Sequence, residues 1–252
     1  MSLNYRIVIP ARMASERLPG KPLLDVAGKP LIQRVWECAT ASSAREVVVA
    51  TDDEEIRQAA IAFGARCQMT RPEHASGSDR IAECIDALGW PDSVVVVNLQ
   101  GDEPEMPAEC LDQVAEMLQE DAVADAASLY QTIDDADEIR DPNAVKVVVN
   151  TAGRALYFSR SVIPAHRPWP SVESAIKAGQ AWKRHIGLYA YRVGALRKFT
   201  GLAPTSLERM ERLEQLRILE SGGVIAMAEA VRPVPAGVDT AADLERVRRD
   251  FQ

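Results

Sequence analysis

The chain contains 252 residues, of which 47% are hydrophobic and 26% are charged, and its formal net charge is −8. This length suits one large domain, or one domain with a smaller appendage. The acidic balance argues against a nucleic-acid-binding protein, which needs a basic surface. No charged segment followed by an apolar run opens the chain, and no apolar run approaches the roughly 18–20 residues that cross a bilayer. We therefore expect a cytoplasmic globular protein with neither a nucleic-acid nor a membrane partner.

The cysteines and histidines do not predict a zinc site. Only three histidines are present and no Cys-x-x-Cys pair occurs, whereas a structural zinc ion takes four closely spaced ligands. The cysteines lie among apolar residues, which favours free, buried thiols. They are Cys38, Cys67, Cys84 and Cys110.

Short apolar runs alternate with helical patterns through the first half of the chain. Strands are predicted at 5–10, 46–51, 65–69 and 93–99. Helices are predicted at 30–41, 53–63, 79–88 and 107–119. Nearly continuous apolar runs are typical of parallel strands that are buried on both faces. The alternation predicts an α/β fold with a doubly wound, mostly parallel sheet.

Longer strand patterns replace this alternation after residue 120. Strands are predicted at 122–132, 144–150, 155–158, 186–192 and 224–230, and helices at 207–220 and 241–250. Residues 164–182 are rich in Pro, Trp and polar groups, which predicts a mobile loop. Because we find no repeat and no linker, we expect a single domain over 1–252 with an inserted β-rich portion. We divide this domain into a first half, residues 1–120, and a second half, residues 121–252.

Three cations directly follow the first predicted strand: Arg12, Arg17 and Lys21. Ligands of open α/β sheets bind at the carboxyl ends of the strands, so this loop predicts a site for a polyanion such as a nucleoside triphosphate. The P-loop pattern Gly-x-x-x-x-Gly-Lys-Ser/Thr is absent. The guanidinium of Arg12 and the ammonium of Lys21 are therefore the candidate phosphate ligands. A solvated basic turn is the alternative.

A carboxylate follows the fourth predicted strand in Gln100-Gly101-Asp102-Glu103-Pro104. In this position it can hold Mg²⁺ against a triphosphate. We expect Asp102 rather than Glu103, because the shorter side chain gives a tighter site. Asp239, in a similar turn, offers a second ligand, although each aspartate could instead simply cap its turn or helix. Since the two lie far apart in sequence, we expect them to meet only when the site closes.

Polar residues after the third predicted strand are further candidates for nucleotide contacts. Gly77 permits close approach of the backbone. The side chains of Ser76, Ser78 and Arg80 can contact a base edge or a phosphate. An ordinary helix N-cap is the alternative here.

The second half supplies candidates for binding an acidic co-substrate. Arg160 and His185 could bind a carboxylate, although a structural histidine is equally compatible with the sequence at position 185. Glu214 and Gln215 interrupt a leucine-lined helical pattern. They could receive sugar hydroxyls or face water.

Several short motifs occur in order along almost the whole chain. They are Pro10-Ala11-Arg12, Arg17-Leu18-Pro19-Gly20-Lys21-Pro22-Leu23, Ser76-Gly77, Gln100-Gly101-Asp102-Glu103-Pro104, Asn143-Ala144-Val145-Lys146-Val147-Val148, Tyr157-Phe158-Ser159-Arg160, Arg184-His185, Leu213-Glu214-Gln215-Leu216-Arg217 and Gly237-Val238-Asp239-Thr240. This ordered set resembles the 3-deoxy-D-manno-octulosonate (Kdo) cytidylyltransferase family. The resemblance implies a nucleotide-diphospho-sugar transferase-like fold. It also implies a homodimer that makes CMP-Kdo and diphosphate from CTP and Kdo with Mg²⁺, for lipopolysaccharide synthesis.

The resemblance also assigns roles to residues. Arg12 and Lys21 would hold the triphosphate and, with Asp102, form the catalytic set. The cytidine would lie among Ala11, Ser15, Ser76, Gly77 and Arg80. The Mg²⁺ ligands would be Asp102 and Asp239. The residues around Kdo would be Gln100, Arg160, His185, Tyr189, Glu214 and Gln215.

Departures from the family pattern are small. Ser78-Asp79 stands where the family often has Thr-Glu, and Ala190 stands where Gly is common. Residues 164–182 match poorly and are assigned no contacts. A cytidylyltransferase for another acidic sugar, such as 8-amino-Kdo or a sialic acid, is the nearest alternative, and a non-catalytic nucleotide-binding regulator is a remote one. The strands within 122–149 are our expectation for the dimer interface.

Overall fold

A computed structural model describes residues 3–14, 17–74 and 76–252. The strands are β1 Tyr5–Ala11, β2 Asp25–Val26, β3 Lys29–Pro30, β4 Glu46–Thr51, β5 Arg66–Met69, β6 Val95–Asn98, β7 Ala126–Ile133, β8 Lys146–Val149, β9 Ala155–Ser159, β10 Trp182–Arg192 and β11 Ile225–Glu229. The helices are α1 Leu31–Thr40, α2 Glu54–Ala62, α3 Gly77–Ala87, α4 Ala108–Glu120, α5 Ala136–Arg140, α6 Val172–Lys177, α7 Val193–Thr200, α8 Ser206–Glu211, α9 Leu216–Glu220 and α10 Ala241–Asp250, with a 3-10 turn at Lys21–Leu23.

The main sheet has the strand order β11-β7-β10-β6-β1-β4-β5, with the β8–β9 pair attached through β10. Strand β1 pairs in parallel with β4 and with β6. The pairs β4–β5 and β7–β11 are also parallel. Strand β10 is antiparallel to β6, β7 and β8. The α/β fold with a mostly parallel sheet is therefore confirmed, with the antiparallel pairing concentrated in the second half.

The alternation of side chains along β1 joins the sheet to both of its helical layers. Ile7 and Ile9 are fully buried in a core that includes α1 and α4. Val8 is fully buried in a second core, on the other face, with α3 and α7. Burying one such side chain contributes roughly 1.5–3 kcal/mol. This two-sided burial holds the end of β1, where the cation loop begins.

The prediction of one helix over 207–220 is wrong. Helix α8 ends at Glu211, and Arg212 adopts the left-handed conformation with φ 51° and ψ 48°. Helix α9 then begins at Leu216. The leucine spacing was compatible with a continuous helix, but Leu213 and Leu216 are buried in the second core only because the chain turns between the two helices.

Other segments also differ from the predictions, and β10 begins at Trp182 rather than at residue 186. The segment 164–182 contains helix α6, which begins with a capping box at Ser171 and packs in a small core with Trp182. The strand expected at 122–132 begins at Ala126 instead, after a turn held by Asp121. Strand β5 is a partly exposed edge strand rather than a buried one.

All four cysteines are free, as predicted, and Cys84 and Cys110 are buried. Cys38 and Cys67 are only partly buried. Among the residues that the structure describes, no helix is long and apolar enough to cross a membrane.

Candidate active site

A cleft of about 640 Å³ lies at the carboxyl ends of β1 and β6. It is lined by Pro10, Ala11, Arg12, Ala14, Arg17, Lys21, Pro22, His74, Ser76, Gly77, Arg80, Gln100, Gly101, Asp102 and Asp239. Nine of the predicted site residues are in this set, and their roles remain predictions. Ser15, also predicted to contact the nucleoside, lies outside the described residues.

Two glycines let the segments around the cleft approach each other. A Cβ atom on Gly101 would lie 2.8 Å from the carbonyl oxygen of Pro10, closer than real Cβ atoms come. A Cβ atom on Gly77 would lie 3.3 Å from Cγ of Pro10. The turn after β6 and the start of α3 therefore both pack against the end of β1.

Lys21 joins the two aspartates that were predicted to bind metal. Its Nζ atom donates to Oδ2 of Asp102 at 2.7 Å and to the carbonyl oxygen of Val238 at 2.9 Å, and lies 3.4 Å from Oδ1 of Asp239. In the described structure the two aspartates therefore share one cation. The backbone bond from Val238 N to the carbonyl oxygen of Asp102, at 2.8 Å, already holds the two turns together.

The other two cations of the loop are more exposed. Arg17 Nη2 lies 3.0 Å from Oδ1 of Asp239, and both side chains are more than half exposed. Arg12 is exposed and lines the cleft. Two cations thus contact the two carboxylates, and Arg12 adds a third to the cleft lining, so the cleft suits phosphate groups.

The start of α3 connects the two halves of the chain. Ser76 caps the helix by accepting from the backbone N–H of Asp79, and its Oγ donates to Glu214 at 2.9 Å. Ser78 Oγ donates to the other oxygen of Glu214 at 3.2 Å. Burial raises the pKa of Glu214, although the hydrogen bonds from the Ser76 and Ser78 hydroxyls oppose that shift. Glu214 therefore holds the α8–α9 region against the start of α3, a contact that sequence reasoning missed.

Arg80 is buried, and both of its terminal nitrogens contact protein groups. Its Nη1 donates to Oγ1 of Thr70 at 2.6 Å, and its Nη2 lies 3.1 Å from Oδ2 of Asp52. The side chain borders the cleft but also fixes the segment before α3 to the turn after β4. Its location is consistent with a nucleotide contact, while its contacts make it structural as well.

The structure does not place the remaining Kdo candidates in the lining of this cleft. Arg160 donates to the carbonyl oxygens of Glu211 and Pro142, at 2.7 and 3.0 Å, and so connects two loops. Gln215 is buried beside Glu214, and Tyr189 is buried in the second core. The hydroxyl of Tyr189 has no hydrogen-bond partner among the described residues.

His185 lies in an apolar setting that removes its charge. Its ring is 4.9 Å from that of Phe158 and 5.3 Å from that of Tyr189, and its Nε2 is 3.1 Å from Oγ of Ser128. Burial, with a smaller effect of the nearby Arg184 cation, lowers the pKa of His185 to about 3. At neutral pH this side chain can exchange hydrogen bonds with a substrate but cannot offer it a positive charge.

Comparison with known proteins decides the family. A model of the cytidylyltransferase family matches residues 6–229. Proteins named 3-deoxy-manno-octulosonate cytidylyltransferase are 47% identical in Francisella philomiragia, over 99% of each chain, and 50% identical in Pseudomonas fluorescens, over 99% of this chain and 98% of that one. The chain belongs to this cytidylyltransferase family.

A solved structure gives the same result for the fold of this cytidylyltransferase. The CMP:2-keto-3-deoxy-manno-octonic acid synthetase complexed with CTP is 42% identical and superposes with a TM-score of 0.89 over 98% of each chain. The α/β architecture is therefore that of a Kdo cytidylyltransferase.

Two further residues, one in the cleft lining and one next to Asp102 in the chain, were not predicted to have a role. His74 lines the cleft. Glu103, passed over in favour of Asp102, has a buried Oε2 atom without a partner among the described residues. Burial and the nearby Asp102 carboxylate raise its pKa to about 8. The only sequence signal for Glu103 was its place in the motif after β6. The signal for His74 was its position two residues before Ser76.

Proposed function

We propose that the chain transfers the cytidylyl group of CTP to the anomeric 2-hydroxyl of Kdo, and so activates this sugar for lipopolysaccharide synthesis. The observation that supports this most directly is the Lys21–Asp102–Asp239 cluster at the carboxyl ends of β1 and β6. In the reaction, the hydroxyl oxygen bonds to the α-phosphorus and the bond from that phosphorus to the bridging oxygen breaks. Diphosphate leaves with the electron pair of the broken bond, and the hydroxyl proton passes to water.

The cations of the first loop act on the phosphates. Arg12 is exposed in the cleft and can present two parallel N–H donors to a phosphate. Lys21 carries a compact charge whose side chain is 14% exposed, so its field is poorly screened by water. Both groups neutralise charge that shifts to the leaving diphosphate, and fixed charges of this kind stabilise a phosphoryl-transfer transition state without reorganising.

The donor set beside Lys21 fits Mg²⁺. Asp102 and Asp239 offer only oxygen atoms, which a hard cation prefers. Their ion pairs with the ammonium of Lys21 support a position that attracts positive charge. The described residues contain no cluster of three metal-binding side chains, so phosphate oxygens and water would complete the coordination. Bound Mg²⁺ would neutralise phosphate charge and lower the pKa of a coordinated hydroxyl.

The acceptor side is expected next to the β10 bulge. The register between β10 and β7 shifts between Ile186 and Tyr189, and a Cβ atom on Gly187 would lie 3.7 Å from Oε1 of Glu103. This bulge therefore brings the segment of His185 and Tyr189 beside the turn that carries Asp102. That closeness supports an acceptor sugar near the α-phosphate.

Diphosphate release tests this function. We expect release from CTP with Kdo, less with 8-amino-Kdo or sialic acid, and none without a sugar. Asp102→Asn should lower turnover roughly a hundredfold or more, as expected when a fixed charge at a transition state is lost. Asp250→Asn, on the surface of α10, is the matched control. Release with sialic acid but not Kdo would support the other cytidylyltransferase, and no release with any acidic sugar would leave only a binding protein.

Two further expectations come from the sequence analysis. A homodimer is expected, and sedimentation velocity at micromolar concentration tests it. A cytoplasmic location is also expected, and fractionation of cells expressing the chain tests that.

A further inference from the structure

His74 lies in the cleft without any role in the site described above. It belongs to the segment between β5 and α3, and its side chain is only 10% exposed. It lines the same cleft as Ser76 and Gly77. A polar ring that is nearly buried and borders a ligand cleft can contact what fills the cleft.

Glu83 fixes the orientation of the His74 ring. His74 Nε2 is hydrogen-bonded to Oε2 of Glu83. The carboxylate of Glu83 is itself held by the backbone N–H of Arg71 at 3.2 Å and by Nε of the same arginine at 3.2 Å. Burial by itself raises the pKa of Glu83, but the bonds from His74 and Arg71 outweigh it and keep that pKa below its ordinary value.

This bond also selects the tautomer of the ring. An ionised carboxylate can only accept hydrogen bonds, so the Nε2 atom of His74 carries the proton. In the neutral ring, Nδ1 is then an acceptor. Such an acceptor fits the amino and hydroxyl donors of a nucleoside and does not fit a phosphate oxygen.

The distribution of charge in the cleft gives the direction of the nucleotide. The cations Lys21 and Arg17 are bonded to the aspartates at one end of the cleft, where a triphosphate is attracted. The cleft-lining residues that follow His74, Ser76 and Gly77, carry no charge, and Gly77 approaches the end of β1 through its contact with Pro10. With the phosphates at the charged end, the nucleoside lies toward His74.

We propose that His74 is a nucleoside-binding residue of this site and that Glu83 is the residue that positions it. The proposal rests on the proposed function only in taking CTP as the nucleotide. It adds to the expected cytidine contacts a side chain that is oriented by the Glu83 carboxylate.

Calorimetric binding without sugar tests the role of His74. In the presence of Mg²⁺, His74→Ala should raise the Kd of CTP about tenfold and raise that of CMP similarly. The Kd of diphosphate should not change, because that ligand has no nucleoside. His166→Ala, whose ring belongs to the 166–169 turn, is the matched control and should bind all three ligands like the wild type. An unchanged Kd for CTP, or an equal loss for diphosphate, would overturn the proposal.

A pair of substitutions at Glu83 separates positioning from general stability. Glu83→Gln keeps an oxygen that can accept from Nε2, whereas Glu83→Leu does not. We expect Glu83→Leu to weaken CTP binding as much as His74→Ala does, and Glu83→Gln to restore most of the affinity. Equal affinity in both variants would contradict a positioning role, whatever their melting temperatures.

These measurements are independent of the acceptor sugar. If the wild type binds CTP but releases no diphosphate with Kdo, the proposed function fails while the role of His74 is still measured. If both activities are present and His74→Ala binds CTP normally, only the inference about His74 fails.

Discussion

The chemical state of single side chains limits what each can do in this site. Lys21 is shared between Asp102 and Asp239, so these three charges act as one cluster and not as separate ligands. His185 is held neutral by burial. A substrate carboxylate near His185 must therefore find its positive charge elsewhere. On an exposed surface, a lysine or a histidine would not be limited by such burial and ion pairing.

The state of His185 has a consequence for stability. Its pKa is about 3 in the folded chain and roughly 6.5 in the unfolded chain, so below 6.5 the unfolded chain binds this proton more readily. The stabilising contribution is complete above about pH 6.5 and is lost as the pH falls from there toward 3. We expect the free energy of unfolding in urea to fall less steeply between pH 6.5 and 4.5 in His185→Gln than in the wild type. His166→Gln is the control, and equal slopes in all three proteins would contradict the assignment.

Local backbone conformation decides where elements end, and the α8–α9 region is the main example. Leucine spacing predicted one helix over 207–220, yet the chain breaks at Arg212. There the carbonyl oxygen also lies 3.4 Å from Nη2 of Arg160. A left-handed conformation costs a non-glycine residue roughly 1–2 kcal/mol, and tertiary contacts such as that of Glu214 with Ser76 must offset it. No local pattern reveals such contacts, because Arg160 and Ser76 lie 52 and 138 residues away from their partners in the chain.

Glycine at this break tests the explanation. Arg212→Gly removes the Cβ clash and keeps the carbonyl oxygen. It should therefore leave the free energy of unfolding unchanged or raise it by up to about 1 kcal/mol. Met210→Gly, within α8 and 83% exposed, should instead lower it by about 1 kcal/mol, the usual cost of glycine in a helix. Urea denaturation measures both. A loss in Arg212→Gly as large as that in Met210→Gly would show that the break is not strained.

At the scale of the whole molecule, the cleft unites segments from both ends of the chain. The loop after β1 supplies Arg17 and Lys21, the turn after β6 supplies Asp102, and the turn before α10 supplies Asp239. Because a bound ligand would contact all three segments, its binding free energy adds to the stability of the entire fold.

Ligand and metal removal tests this coupling. CTP with Mg²⁺ at a hundred times its Kd should stabilise the folded chain by about 2.7 kcal/mol, seen as a rise in the melting temperature. Excess EDTA, or the substitution Asp239→Asn, should remove most of that rise. Asp250→Asn should retain it. A rise that persists fully in EDTA would mean that the site binds CTP without a divalent cation.

The sequence by itself determined the α/β class, the cation loop and the two aspartates proposed as metal ligands, since apolar periodicity and short motifs are local properties of a chain. It also carried the family resemblance, which comparison with known proteins confirmed. Only the tertiary structure decided that Lys21 lies between Asp102 and Asp239, that His185 is neutral, and that the helix breaks at Arg212. Those outcomes depend on burial and on contacts between distant segments. Hydrophobic periodicity reports which face of an element is buried, but not which polar groups meet once the elements have packed.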